Sequence, residues 1–157
     1  MMIIYRILGF IVTIFSSFVA ITAIVGLFMA VSNPSVLFQC FLLVSVVLYS
    51  WYANKFFAQV VLLKGVMTKK QKDWLQVNAI VAFVFSVMGI IGAWVMITQP
   101  KDFLEKFTQM PEGVAVTEDM IIKTGYFLLA VFAVLFTHII WTYILVRKHK
   151  HQFETKA

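Results

Sequence analysis

The chain has 157 residues, 62% of them apolar and only 13% charged, with a mean hydropathy of +0.93. Soluble domains run at roughly 45–50% apolar and about 25% charged, so this composition excludes a soluble enzyme, a nucleic-acid-binding domain and a disordered tail. The net charge of +6 does not revive nucleic acid as a partner, because no charged residue occurs from Ile7 to Asn54, from Trp74 to Pro100 or from Thr124 to Val146. Basic residues that flank apolar stretches are a topology signal, not a nucleic-acid-binding face.

The pattern predicts an all-α, polytopic integral membrane protein, with four transmembrane helices in an antiparallel bundle forming one domain over residues 1–157. The first apolar run, residues 7–31, is 25 residues long. A signal-peptide core has about 7–15, so this run reads as an uncleaved first span. Ser32-Asn33-Pro34-Ser35 makes a short turn in which Ser32 or Asn33 can cap the second helix and Pro34 fits its first turn. So short a connection makes helices 1 and 2 antiparallel neighbours.

The second span covers about 35–55 and continues in apolar residues to 63. From Val36 to Leu63 is 28 residues, or about 42 Å of helix against a hydrocarbon core of about 30 Å. The helix is therefore expected to project beyond the bilayer or to bend near Asn54-Lys55. Gly65 reads as the left-handed residue closing it. Thr68-Lys69-Lys70-Gln71 has the form of a capping box and opens helix 3, whose span is 74–98 and which stops before Pro100.

In residues 100–110, Phe103, Leu104, Phe107 and Met110 share one face and Lys101, Asp102, Glu105, Lys106 and Gln109 the other. This predicts a short amphipathic helix in the outer loop, broken by Pro111-Glu112-Gly113. Thr117 is expected to cap the last helix, with a span at 120–146 and a basic tail at 147–157. One side of the membrane then carries ten Lys/Arg and two acids, the other three Lys and five acids. The positive-inside rule puts both termini in the cytoplasm.

Small residues recur at three- and four-residue steps on helix 1 (Gly9, Thr13, Ser16, Ala20, Ala23) and on helix 3 (Ala79, Ala82, Ser86, Gly89, Ala93). Within lipid, close backbone approach holds helices together, so these stripes predict packing seams or a homo-oligomer interface. The lone cysteine, Cys40, reads as an apolar packing residue.

Intramembrane polar residues are the pointers to function. His138, nine residues before Arg147, is the one side chain inside a span whose ordinary pKa lies near neutral pH. His149 and His151 lie in the tail, too far to complete a haem or metal site, so no cofactor and no metal are expected. A neutral His138 hydrogen-bonded to Thr142 or to a neighbouring helix is the structural expectation. The functional alternative is a polar pocket of His138, Tyr49, Tyr52, Asn54 and Asn78, although an interfacial aromatic belt explains most of these residues. Lys64, Lys69, Lys70, Lys72, Arg147, Lys148 and Lys150 are expected at anionic lipid headgroups on the cytoplasmic side. Three functions remain open: a non-enzymatic accessory or scaffold bundle, alone or in a homo-oligomer or larger membrane complex; an oligomeric small transporter or channel; and a lipid- or quinone-binding enzyme around His138.

Overall fold

The computed structural model describes residues 2–30, 34–107 and 116–153. Helix α1 (Met2–Ala30), α2 (Pro34–Phe56), α3 (Lys69–Thr98), α4 (Pro100–Phe107) and α5 (Glu118–Lys148) follow one another, with no strand among the described residues. Four helices are long and apolar enough to cross a membrane, and the protein is a multi-pass membrane protein built on them. The proposed caps at Ser32 and Asn33, the break at Pro111-Glu112-Gly113 and the end of the amphipathic segment at Met110 lie outside the described residues. So does the tail beyond Phe153.

Helix starts follow the expected chemistry. The Thr68 hydroxyl accepts from the Gln71 N–H (3.3 Å) and the Thr117 hydroxyl from the Met120 N–H (3.3 Å). Each satisfies one of the donors that a first helical turn leaves without a partner. Helix α3 ends at Thr98 and α4 begins at once with Pro100.

The second span is helical through Asn54-Lys55. It changes pitch, continuing as a π-helix over Phe57–Leu62. The wider turn brings Phe57, Val60 and Val61 inward just after Phe56. The closing residue is also not the one expected. Lys64, not Gly65, takes the left-handed conformation, at φ 52°. The Gly65 N–H then reaches back six residues to the Gln59 carbonyl (2.8 Å). That is one residue further than after an α-helix, because the preceding turn is π, and it moves the left-handed position forward.

The chain divides into two compact units, Met1–Phe85 with Val134–Ala157, and Ser86–Ala133. In the first, one core joins Tyr5, Val12 and Val19 of α1, Val46, Tyr49, Ala53 and Phe56 of α2, Leu75 and Ala82 of α3, and Leu135, Ile139 and Val146 of α5. The α1 residues facing it, Tyr5, Gly9, Val12, Ser16, Val19 and Ala23, step alternately by four and three, the seam of a left-handed helix pair. Helices α1 and α2 run antiparallel, since Gly26 meets Cys40 near one end and Thr13 bonds Asn54 near the other. After α5, a turn of 3-10 helix (Lys150–Gln152) carries Phe153 back onto Phe56, where the rings stack at 6.0 Å. The Met67 N–H donates to the Gln152 carbonyl (3.0 Å), tying this end to the α2–α3 connection.

The second unit is an antiparallel helix pair with α4. A Cβ at Gly89 would lie 2.5 Å from three carbons of the Phe132 ring. One at Gly125 would lie 2.8 Å from Ile97 and 3.2 Å from the Ala93 carbonyl oxygen. The two helices touch through glycine, at Gly89 of the helix 3 stripe and at Gly125 on α5.

Candidate functional site

The first unit contains a buried polar cluster contributed by three helices. Tyr5 enters from the first turn of α1, Tyr49 from the middle of α2, and His138 and Thr142 from successive turns of α5. All four are almost wholly buried. Two turns further along α1 than Tyr5, Thr13 meets Asn54 of α2, and Gly9 sits between the two groups.

Counting hydrogens fixes the direction of every bond. The Thr142 hydroxyl donates to the His138 backbone carbonyl (2.8 Å), so its oxygen can only accept from its other two neighbours. Those are the Tyr5 hydroxyl at 2.9 Å and the Tyr49 hydroxyl at 3.0 Å. With its only hydrogen directed to Thr142, the Tyr49 oxygen must accept at its remaining contact, His138 Nδ1 at 2.8 Å. Four contacts thus use four hydrogens, three from hydroxyls and one on Nδ1. The opposite tautomer would leave one pair of lone pairs facing each other.

This assignment leaves His138 Nε2 as an unprotonated nitrogen, buried and with no hydrogen-bond partner among the described residues. It faces Gly9, where a Cβ would lie 3.3 Å from Nε2 and 3.7 Å from Asn54 Oδ1. The Thr13 hydroxyl donates to the Gly9 carbonyl (2.7 Å) and so accepts from Asn54 Nδ2 (2.8 Å). Asn54 Oδ1 is therefore also an acceptor turned toward Gly9. Two acceptors flank a position where helix 1 has no side chain. The Tyr5 ring stacks on the imidazole at 4.7 Å and 25°, and Phe57 of the π-helix lies 4.8 Å from Tyr5.

Of the five residues proposed as a pocket, the structure joins His138 directly to Tyr49 and brings Asn54 near through Gly9. Tyr52 and Asn78 are placed elsewhere. Tyr52 stacks on Trp74 at 6.5 Å, and Asn78 Nδ2 donates to the Trp74 carbonyl (2.7 Å) within its own helix. Equal depth along two helices does not make residues neighbours, because facing is set by rotation about the helix axis. Thr142 does approach His138 as expected, but its hydroxyl binds the backbone carbonyl one turn back, and the ring nitrogen goes to Tyr49. Tyr5 was missed as a member. The available signal was the spacing of Tyr5, Gly9 and Thr13, which places two polar side chains and a gap on one helical stripe.

The small residues Gly9, Ser16, Ala23, Ala82, Ser86 and Ala93 are buried, whereas Ala20 and Ala79 are half-buried. The cations gather at one end of the first unit. Lys64 lies in the helix-closing turn, Lys69 and Lys70 open α3, and Arg147 and Lys148 end α5. Lys150 begins the 3-10 turn, and Lys72 Nζ lies 5.0 Å from the centre of the Phe153 ring. Comparison with protein-family models, curated proteins and solved structures finds no match to this chain.

Proposed function

We propose that the protein is a non-enzymatic integral membrane bundle, an accessory or scaffold subunit with both termini in the cytoplasm. The observation that carries this reading is the cluster of Tyr5, Tyr49, His138 and Thr142, in which each hydroxyl hydrogen is directed to another member or its backbone and so locks α1, α2 and α5 together. A buried polar network of this kind specifies one helix arrangement in a medium that otherwise offers little to choose between arrangements. The orientation is supported by the ten basic residues on one side against three on the other.

The unpaired Nε2 of His138 favours a second reading, in which this ring binds or relays a proton for a lipid- or quinone-like substrate. Reconstitution separates the two. Purified protein in proteoliposomes is expected to carry no proton or potassium flux above empty vesicles and to bind no quinone. His138→Gln, which keeps hydrogen-bonding capacity, is then expected to retain most of the stability. Flux or quinone binding abolished by His138→Gln in a folded protein would overturn the scaffold reading in favour of the second. A reporter active only outside the cell, fused after Ala157, is expected to stay silent, and strong activity would overturn the orientation.

A further inference from the structure

A groove of about 490 Å³ runs along the outer wall of the first unit, between Leu75–Phe83 of α3 and Ile139–Val146 of α5. Its floor is formed by the buried residues Leu75, Ile139, Thr142 and Val146, and its rim by exposed Ile80 and Tyr143. Ala79, which presents only a methyl, lines the groove between Gln76 and Phe83. Its volume falls within the usual range for small-molecule sites, about 300–1,000 Å³. At one end it meets a smaller cavity of about 210 Å³ lined by Lys72, Gln76, Tyr143, Val146, Arg147 and Lys150. Gln76, Tyr143 and Val146 line both, so the two spaces adjoin.

We infer that these adjoining cavities together bind one anionic phospholipid, with its phosphate among Lys72, Arg147 and Lys150 and an acyl chain in the groove. An apolar groove facing lipid is filled by acyl chains in any membrane. Selectivity comes from the polar end, where three cations and, among the described residues, no acid line the cavity. Gln76 and Tyr143, which line both cavities, carry side-chain donors that a lipid's ester carbonyls can accept from. The polar end is also built into the fold. The Phe153 ring lies beneath the Lys72 ammonium, and the Met67–Gln152 backbone bond fixes the turn that begins at Lys150. The proposal stands independently of the role given to His138.

The test uses the full chain, purified in an uncharged detergent and freed of native lipid. Short-chain phosphatidylglycerol, phosphatidylcholine of the same chains and inorganic phosphate are each titrated while thermal unfolding is followed. Phosphatidylglycerol is expected to raise the Tm in a saturable way, with neither of the others doing so. Each lost cation near an anionic lipid weakens binding about fivefold, so Lys72→Gln/Arg147→Gln/Lys150→Gln is expected to weaken it on the order of a hundredfold. Lys64→Asn/Lys69→Gln/Lys70→Gln removes the same charge outside the groove and is expected to weaken it less than about tenfold. Ala79→Phe fills the groove and is expected to abolish the shift with the cations intact. An equal response to phosphatidylcholine, an equal loss in the two triple variants, or full binding by Ala79→Phe would each overturn the site. If Ala79→Phe does not fold, the paired triple variants decide, since all six changes lie at exposed or half-buried positions.

Discussion

Tyr49→Phe isolates the hydrogen bonding of the buried cluster from its packing, because only one oxygen is lost. That oxygen donates to Thr142 at 3.0 Å and accepts from His138 Nδ1 at 2.8 Å. Hydrogen bonds between membrane helices average about 0.6 kcal/mol and reach about 1.7, because the unfolded chain in lipid also finds partners. Two lost bonds give about 1.2 kcal/mol, and the Nδ1–H left without an acceptor in a dry interior raises the loss toward about 2 kcal/mol. Tyr5→Phe removes a single bond to Thr142, orphans no donor, and keeps the ring stack on His138, so its expected loss is about 0.6 kcal/mol. Equilibrium unfolding in mixed micelles, followed by helix content, measures both. The expected order is wild type, then Tyr5→Phe, then Tyr49→Phe. A Tyr49→Phe protein within about 0.3 kcal/mol of the wild type, or less damaging than Tyr5→Phe, would refute the hydrogen assignment and with it the bare Nε2.

Glycine positions give two further tests. Gly89→Leu drives a side chain into Phe132 and is expected to cost about 1–3 kcal/mol, whereas Ile90→Leu on the next residue stays below about 1.5; equal detergent stability of the two would remove the close helix contact. Gly9→Ala places a methyl 3.3 Å from His138 Nε2, while Gly92→Ala meets nothing within 4 Å. Gly92→Ala is therefore expected to match or exceed the wild type through its better helix propensity, with Gly9→Ala about 1 kcal/mol below it; thermal melts that reverse this order would show that α1 does not approach the imidazole through Gly9.

The sequence by itself determined the number of spans, their approximate limits and the caps at Thr68 and Thr117. These depend on local quantities: the length of uncharged apolar runs, and side-chain oxygens three residues ahead of an N–H. The α1 stripe was legible only in part: Gly9, Ser16 and Ala23 are buried, whereas Val12 and Val19 face the core in place of the half-buried Thr13 and Ala20, because small size alone does not say which residues face the neighbouring helix. The tertiary structure decided what periodicity cannot carry. Whether Asn78 or Tyr5 joins His138 depends on how each helix is rotated about its axis, and four apolar helices in lipid present no polar face by which a reader could fix that rotation. The same limit hid the π-turn at Phe57–Leu62, which moved the left-handed residue from Gly65 to Lys64, because a change of pitch is selected by packing and not by any single residue type. The basic cavity was legible only as a surplus of charge. Its three cations lie at position 72 and at positions 147 and 150, and only the antiparallel pairing of α3 with α5 brings them to the end of one apolar groove.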